Sequence, residues 1–263
     1  MSGRRIVVTG AAQGIGKAVA TRLAEDGENL VLVDRKEAEL QATAAELDAL
    51  SRGTVATRVA DLLELDKLPA LADEIDDEAP IDGLINVAGV GLMSVFAELD
   101  LAQWQRTFDI NVTATFLLGR AVGERMAPRG SGRIVNMASI AGKRGSAALA
   151  DYCASKAAVI SLTQSMASVY GPHGVTVNAI CPGLVWTPMW EVTGAWLAEN
   201  VPAMKDAGLS NHDAFMASVK AQTPLQRPTK VEDIAAMVRF LLSPDANLVT
   251  GQALNVDGGI EVH

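Results

Sequence analysis

Tyr152 and Lys156 are the residues of this sequence best suited to proton chemistry, because they stand four positions apart. Residues at that spacing lie on one face of a helix, which brings the lysine ammonium close to the phenol. A free phenol has a pKa of about 10 and exchanges protons poorly at neutral pH. At an effective dielectric constant of 20, a cation about 4 Å away is worth about 4 kcal/mol, which corresponds to a substantial fall in pKa. The pair therefore predicts a general acid/base at Tyr152, although the spacing alone is common and needs support from the rest of the chain.

Short β-branched runs alternate with helical stretches along the whole chain, as in a parallel sheet covered by helices on both faces. Strands are predicted at Ile6–Thr9, Leu30–Val33, Thr54–Val59, Gly83–Val87, Arg133–Met137, Val175–Ile180 and Ala253–Val256. Helices are predicted at Ile15–Asp26, Glu37–Leu50, Leu65–Glu78, Trp104–Met126, Tyr152–Tyr170 and Val231–Leu242. This alternation predicts an α/β fold with one doubly wound, mostly parallel, seven-stranded sheet that binds ligands at the carboxyl ends of its strands. No linker divides residues 1–263, so a single domain is predicted.

Two signals indicate where particular helices end or begin. Gly27 is typical of a left-handed cap after the first helix, and the segment from Thr229 to Glu232 resembles a capping box at the start of the last. The stretch from about residue 183 to 228 has no strand pattern, and an insertion of that length is typical of a substrate lid. This stretch is called the lid segment below.

The first predicted strand runs into a glycine-rich turn whose candidate cofactor contacts are Gly10, Gln13, Gly14, Ile15 and Gly16. Glycines allow a tight turn and let backbone amides approach a pyrophosphate at a helix N-terminus. The preceding strand and the following helix supply the context that dinucleotide binding requires. A phosphate-loop ATPase would need glycine at position 11 and serine or threonine at position 18. This chain has alanine at both positions. The alternative to cofactor binding is that these glycines only form the turn.

Acidic residues follow the second and third predicted strands. Asp34 can accept hydrogen bonds from both hydroxyls of an adenosine ribose and would repel a 2′-phosphate, which favours NAD over NADP. Arg35, next to it, would offset part of that repulsion. Asp61, followed by Leu62, could accept a hydrogen bond from an adenine amino group or cap the helix that follows.

The fourth and fifth predicted strands deliver small or polar residues to the same edge of the sheet. Asn86, Ala88 and Gly89 follow the fourth strand, where small residues let the backbone come close to a ligand. Ser139 follows the fifth strand, so its hydroxyl should point into the same crevice. Asn111 lies inside a predicted helix, and because asparagine is a mediocre helix former, its position indicates a packing or functional role.

Composition limits the classes of partner. The 263 residues carry a net charge of −9, which argues against nucleic acid and against a basic membrane-binding face. The apolar runs are too short for a membrane span or a secretion signal. Two cysteines, Cys153 and Cys181, are too few for a disulfide framework and favour a reducing, cytoplasmic location. The three histidines, of which His263 is the last, are isolated, so no metal site is predicted.

Together these residues resemble the classical short-chain dehydrogenase/reductases over nearly the whole chain. The resemblance implies a single-domain Rossmann fold, a nicotinamide cofactor and a homotetramer. The chain departs from the family pattern at Val87, where a second asparagine is common. The matching positions are Thr9, Gly10, Gly14, Gly16, Asp34, Asp61, Asn86, Ala88, Gly89, Asn111, Ser139, Tyr152, Lys156, Asn178, Pro182 and Gly183.

The resemblance also implies a role for each site residue. Ser139 would bind the reacting oxygen, and Tyr152 would exchange its proton while hydride passes between a carbinol carbon and NAD. Lys156 would lower the tyrosine pKa and hold the nicotinamide ribose, and Asn111 would open its helix and position a water leading from Lys156 to solvent. Further cofactor contacts would come from Pro182, Gly183, Val185 and Thr187.

Trp186, Met189 and Trp190 give the lid segment an apolar, aromatic beginning. The only cations between Leu184 and Gln222 are lysines, whereas a pocket for phosphate or CoA would favour arginine. A small, neutral, hydroxylated substrate is therefore expected, unless the tryptophans only pack the lid onto the body. The segment is also similar to that of the NAD-dependent polyol and diol dehydrogenases of the family, which act on sugar alcohols, acetoin or butanediol.

Two other functions stay open at this point. A 3-oxoacyl-carrier-protein reductase could use Arg120, Arg125 and Arg129 as a patch for its carrier protein, but Asp34 and the acidic net charge oppose it. Arginines near helix ends are also often simply solvated. A non-catalytic nucleotide-sensing module typically lacks the tyrosine or the lysine, and both are present here.

Two of the predicted helices carry apolar residues on more than one face, among them Phe116 and Val169. A helix that is apolar all round must be covered on both sides. The sheet covers one side, so a partner subunit is expected to cover the other.

Overall fold

One seven-stranded sheet organises the computed structural model, which describes residues 3–262. Its strands, β1 to β7 in chain order, are Arg5–Thr9, Asn29–Asp34, Val55–Val59, Gly83–Asn86, Gly132–Met137, Val175–Pro182 and Ala253–Val256. They lie in the order β3-β2-β1-β4-β5-β6-β7, and all neighbouring pairs are parallel. The connection from β3 to β4 crosses back over β1, which creates the switch point where such sheets bind ligands. The predicted doubly wound α/β fold is confirmed.

Helices cover both faces of this sheet, because successive side chains on each strand point to opposite sides. Ile6 and Val8 of β1 pack in one buried cluster, whereas Val7 packs in the other. The helices, α1 to α10, are Gly14–Glu25, Glu37–Leu50, Leu68–Glu78, Leu101–Phe108, Ala114–Met126, Ala150–Tyr170, Pro188–Asn200, Pro202–Asp206, Asn211–Gln222 and Val231–Leu242. Helices α1 and α10 contribute to the first cluster, and α3, α5 and α6 contribute to the second.

The predicted helix from Trp104 to Met126 begins earlier, at Leu101, and opens locally at Asn111, as the family resemblance implied. The structure has α4, then a π-helical turn at Asp109–Thr113, then α5. Such turns within helices are frequent at functional sites. This one contains Asn111, the residue whose poor helix propensity had drawn attention to the segment.

The two predicted helix-end signals have different outcomes. Gly27 has φ +84° just after α1, so the left-handed cap is confirmed. The capping box at Thr229 is wrong, because the backbone N–H of Thr229 donates to the Leu184 carbonyl at 2.9 Å at the base of the lid segment. The first residue before α10 is Lys230, whose backbone N–H donates to Asp233 Oδ2 at 2.9 Å.

The lid segment folds into α7, α8 and α9. Its own small core is built around Phe215 of α9, which is fully buried with Leu184 and Val219. No helix within residues 3–262 combines the length and apolarity needed to cross a membrane. His263, considered above as a metal ligand, lies outside the described residues.

Candidate active site

A cavity of about 700 Å³ lies at the carboxyl ends of the strands and against the lid segment. This is where an open α/β sheet is expected to bind its ligands. In the described chain, Asn86, Asn111 and Trp186 do not line the cavity, although they were predicted for the site. The predicted residues that do line it are Gly10, Gln13, Gly14, Ile15, Gly16, Asp34, Asp61, Leu62, Ala88, Gly89, Ser139, Tyr152, Lys156, Pro182, Gly183, Val185, Thr187, Met189 and Trp190.

The glycine turn is shaped for the close approach of a ligand. Gly10 and Gly14 have φ values of +68° and +58°, in the region that favours glycine. A Cβ at Gly16 would lie 2.1 Å from the Gly10 carbonyl oxygen, so only glycine lets α1 start so close to β1. The bare backbone at the start of α1 therefore fits the pyrophosphate of a dinucleotide.

The Asp34 carboxylate is held in place at the end of β2. Its Oδ2 accepts from the Ala12 backbone N–H at 3.1 Å, and its Oδ1 accepts from the Lys36 backbone N–H at 3.0 Å. Lys36 and Arg35 also line the cavity, and Lys36 Nζ donates to Gln13 Oε1 at 3.0 Å. Sequence reasoning missed Lys36, whose place at the cavity follows from the tight turn that Asp34 stabilises.

Asp61 does not cap the helix that follows but stabilises the turn before it. Its Oδ1 accepts from the Leu63 backbone N–H at 3.0 Å, so it stabilises the turn after β3. It also lines the cavity, with its Oδ2 3.8 Å from Arg35 Nη1. The second oxygen is thus near a cation and can still accept from a ligand.

Asn86 is a correction to the predicted set of cofactor contacts. The residue is 4% exposed, and its Nδ2 donates to Asn136 Oδ1 at 3.0 Å inside the sheet. The end of β4 is instead fixed by Thr9, whose Oγ1 accepts from the backbone N–H groups of Val87 and Ala88 at 3.1 and 3.2 Å. Asn86, the last residue of β4, is thus buried against Asn136 of β5, whereas Ala88 lies beyond the end of the strand and lines the cavity.

Asn111 holds the loop after β4 rather than lining the cavity. Its Oδ1 accepts from the Val90 backbone N–H and its Nδ2 donates to the Val90 carbonyl, both at 2.8 Å. Nδ2 also donates to Ser155 Oγ at 2.9 Å. A Cβ at Gly89 would lie 3.1 Å from Asn111 Oδ1 and 3.3 Å from Lys156 Nζ, so the loop passes directly between these two groups.

Tyr152 and Ser139 meet in the cavity wall. Burial raises the pKa of Tyr152 to about 12, and a side-chain hydrogen bond with Ser139 acts in the opposite direction. Ser139 Oγ also accepts from the Ala141 backbone N–H at 3.1 Å, which fixes the hydroxyl oxygen at the end of β5. The predicted lowering of the tyrosine pKa by Lys156 is therefore not found in the protein alone.

Lys156 does not reverse the raised pKa of Tyr152. Its ammonium lies 5.7 Å from the centre of the Tyr152 ring and donates to the Met137 carbonyl at 2.7 Å. The residue is 3% exposed, and burial lowers its pKa to about 8. Lys156 is thus still charged at neutral pH, but burial of Tyr152 itself disfavours the phenolate and determines the direction of its pKa shift.

Asp151, which sequence reasoning missed, anchors the start of α6 beside Tyr152. Its carboxylate is 1% exposed, and its Oδ2 accepts from Thr107 Oγ1 at 2.7 Å and from Gln103 Nε2 at 3.2 Å. Both donors belong to α4, so this contact connects α4 to the helix that carries the tyrosine and the lysine. A buried carboxylate needs such partners, but nothing in the sequence shows which helix supplies them.

The lid tryptophans divide into two groups. Trp190 lines the cavity, and Met189 does so beside it. Trp186 instead packs within the lid, with its ring 5.1 Å from Phe215 and 4.9 Å from His212 between centroids. Trp186 therefore packs into the core of the lid against α9 and does not line the cavity.

Gly91 packs directly against the ring of Tyr152, which leads to a first testable prediction. A Cβ at Gly91 would lie 2.7 Å from Tyr152 Cδ2, so Gly91→Ala must displace the ring. A displacement of this size is expected to lower kcat about 10- to 100-fold in steady-state assays. Gly145→Ala is the matched control, because Gly145 lines the same cavity but a Cβ there would meet nothing within 4 Å. Equal activity of the two variants would contradict the prediction.

The arginines considered as a carrier-protein patch are largely engaged within the chain. Arg125 forms ion pairs with Asp73 and Asp77 at 2.8 and 2.7 Å. Arg129 pairs with Asp76 at 2.9 Å and donates to the Ile81 carbonyl. Their charges are compensated by acidic residues of α3, which weakens the case for an acidic partner protein at this surface.

The comparison with known proteins decides the class. The model of the short chain dehydrogenase family matches residues 4–198, more than half of the chain. The chain belongs to the short-chain dehydrogenase/reductase family. The enzyme is accordingly an oxidoreductase of secondary alcohols and ketones that uses a nicotinamide dinucleotide.

Individual relatives of this short-chain dehydrogenase/reductase include polyol dehydrogenases. Sorbitol dehydrogenase of Cereibacter sphaeroides is 36% identical over 262 residues, with 98% of each chain covered. The structure of NAD⁺-bound xylitol dehydrogenase matches with a TM-score of 0.89 at 31% identity, covering 98% of this chain and 99% of that one. A variant of the actinorhodin polyketide ketoreductase with NADPH matches with a TM-score of 0.89 at 33% identity, covering 99% and 98%. The predicted resemblance to polyol dehydrogenases is confirmed.

Proposed function

We propose that the enzyme transfers a hydride between NAD(H) and a small, neutral polyol, diol or hydroxyketone. One observation carries this proposal: a single cavity connects Asp34 with Ser139, Tyr152 and Lys156. The fixed carboxylate favours the free ribose hydroxyls of NAD and would repel the 2′-phosphate of NADP. Arg35 and Lys36, at the same end, weaken that repulsion, so we expect a preference for NAD and not an absolute requirement.

The chain's own residues then divide the chemistry between them. Ser139 binds the reacting oxygen, and Tyr152 takes its proton during alcohol oxidation or returns it during ketone reduction. When bound, an oxidised nicotinamide cofactor accepts the hydride and adds a positive charge that favours the phenolate. Lys156 holds the ribose hydroxyls beside the ring, and Asn111 supports a water path from Lys156 to solvent.

The substrate proposal rests on the wall of the cavity near Tyr152. Met189 and Trp190 give this wall an apolar, aromatic side, and Leu149 and Leu197 add to it. Apolar walls with a few placed polar groups are typical of sites for small molecules. Polyol dehydrogenases among the relatives support the same class of substrate.

A panel of substrates with both cofactors tests this function. Purified enzyme is assayed with sorbitol, xylitol, 2,3-butanediol and acetoin, with NAD(H) or NADP(H), by following cofactor absorbance. We expect oxidation of at least one polyol with kcat/KM about tenfold higher for NAD⁺ than for NADP⁺, a difference of about 1.4 kcal/mol. Asp34→Asn removes the charge and keeps the size, so it should abolish the preference. Turnover only of 3-oxoacyl thioesters would favour a 3-oxoacyl-carrier-protein reductase instead.

We further propose that the enzyme works as a homotetramer in the cytoplasm. Phe116 of α5 and Val169 of α6 are 40% and 61% exposed, which leaves apolar surface for a partner subunit to cover. Light scattering at micromolar concentration measures the assembly, and a monomer would contradict it.

A further inference from the structure

Arg144 is a cation of the cavity that lies apart from the other charged groups lining it. Asp34, Arg35, Lys36 and Asp61 lie at the ends of β2 and β3 or just after them, and Lys156 lies next to Tyr152. Arg144 follows the short helical turn after Ser139 and reaches the lid segment. Arg144 stands between Ser139 and Tyr152 in the sequence and lines the cavity together with Gly145 and Ser146, which places it on the substrate side.

The Arg144 guanidinium is held from two directions. Its Nε lies 3.0 Å from Glu261 Oε1, and its Nη2 donates to Gln222 Oε1 at 3.0 Å. Glu261 is itself fixed, because its backbone N–H donates to Asp257 Oδ2 at 2.7 Å and its carbonyl accepts from Asn255 Nδ2 at 2.7 Å. The Arg144 side chain is 45% exposed, and within residues 3–262 its Nη1 makes no hydrogen bond, so one end of the guanidinium stays available as a donor. A donor held in advance loses little conformational entropy when it binds a ligand.

We propose that Arg144 is a specificity-determining residue that donates from Nη1 to a substrate oxygen remote from the reacting carbon. The inference rests on the proposed function and deepens it, because it selects substrates with an oxygen several bonds away from the carbinol. Glu261, 17% exposed on its side chain, compensates the Arg144 charge. A hydroxyl therefore suits this site better than a carboxylate, which would have to compete with Glu261 for the guanidinium.

The sequence alone pointed away from this residue. The absence of arginine between Leu184 and Gln222 suggested that no guanidinium reaches the substrate. Arg144 comes instead from the loop after β5, and only the fold brings it to Gln222 at the end of α9. A neutral substrate is still favoured, but the reason is now the Arg144–Glu261 pair and not the lack of a cation.

Arg144→Met tests the proposal by comparing two substrates that share a secondary alcohol and differ in remote oxygens. For a hexitol we expect KM to rise about tenfold with kcat within about twofold, since one hydrogen bond from a charged donor is lost. For 2-butanol, and for NAD⁺, KM should stay unchanged. Lys205→Met, which removes an exposed lid cation outside the cavity, is the matched control. An equal rise in KM for both alcohols, or no rise for either, would overturn the proposal.

Glu261→Gln provides an independent measurement that does not depend on the stability of the first variant. It keeps an acceptor for Arg144 and removes the compensating charge. We expect the KM for a sugar acid such as gluconate to fall about tenfold relative to that for the matching polyol. An unchanged ratio would refute the role of Glu261. Wild-type turnover decides the proposed function separately: if no polyol is oxidised, the same Arg144 comparison is made by reducing a simple ketone and a hydroxyketone.

Discussion

Tyr152→Phe is expected to lower kcat about 10³-fold, the size typical of a lost general acid/base, while cofactor binding is retained. The variant removes only the phenolic hydroxyl, so the ring still packs against Gly91. Ser139 stays at the end of β5, where its Oγ accepts from the Ala141 backbone N–H. The substrate oxygen then keeps one hydrogen-bonding partner but has no group with which to exchange its proton. Steady-state kinetics and a fluorescence titration with NADH measure the two effects separately.

Tyr170→Phe is the matched control, because Tyr170 is the second of the two tyrosines in the sequence. It lies at the other end of α6, and its hydroxyl donates to the Arg120 carbonyl at 3.3 Å. Losing that bond is expected to leave kcat unchanged and to cost about 1 kcal/mol of stability. If Tyr152→Phe kept more than about a tenth of wild-type turnover, the tyrosine would not be the proton-transfer group.

The fold was largely predictable because its signals are local. Each predicted strand is a short β-branched run, and the glycines at 10, 14 and 16 fit a turn that no other residue could form. The strand-end rule then placed Asp34 and Ser139 at one cavity without any knowledge of side-chain contacts. Signals of this kind depend on how side-chain direction repeats along a strand or a helix. That repeat can be read directly from the sequence.

The errors concern the direction in which individual side chains point and the surroundings of charges. Asn86 stands near the same strand end as Ala88, yet its side chain is buried against Asn136 of the neighbouring strand. Trp186 depends on the packing of α9, which a lid sequence does not specify. Arg144 reaches the cavity from a distant loop. Each of these outcomes is decided by contacts between elements far apart in sequence.

The pKa of Tyr152 shows the same limit in energetic terms. Spacing on a helix correctly placed Lys156 near the phenol, at 5.7 Å from the ring centre. Burial then acts on both groups, raising the pKa of the phenol to about 12 and lowering that of the lysine to about 8. Desolvation depends on everything that covers the pair, so no local pattern could reveal its size. We therefore expect proton transfer near neutral pH to require a further influence that lowers the pKa of the phenol, such as the positive charge of an oxidised nicotinamide.

Lys156→Met is expected to produce a protein that is more stable than the wild type at pH 7 and at least about 10²-fold less active. The ammonium is buried, and its pKa falls from 10.5 to about 8 on folding. Keeping it charged in the folded protein thus costs about 3 kcal/mol at pH 7. Methionine fills a similar volume without the charge, but it leaves the Met137 carbonyl without its donor, at a cost of about 1 kcal/mol. The net gain in the free energy of unfolding is about 2 kcal/mol.

The pH dependence of this gain distinguishes desolvation of Lys156 from other causes. Below pH 8 the lysine is charged in both the folded and the unfolded state, so the full cost is present. Between pH 8 and 10.5 the unfolded state binds more protons than the folded state, so wild-type stability rises with pH relative to the variant. Above pH 10.5 the lysine is neutral in both states, and only its hydrogen bond to Met137 remains in favour of the wild type. The order of stability should therefore reverse as the pH approaches 10.5.

Denaturant unfolding at a series of pH values, at one fixed protein concentration, measures this reversal. Burial raises the pKa of Tyr152 to about 12, so its titration in the folded protein lies above the pH range in which the two proteins are compared. A variant less stable than the wild type at pH 7, or a difference that does not change between pH 8 and 10.5, would show that the buried ammonium carries no desolvation cost. If the reversal is found, the wild type is less stable at neutral pH with an amine beside Tyr152 than with methionine there. A stability cost of this kind is typical of groups retained for catalysis, because packing alone would favour the methionine.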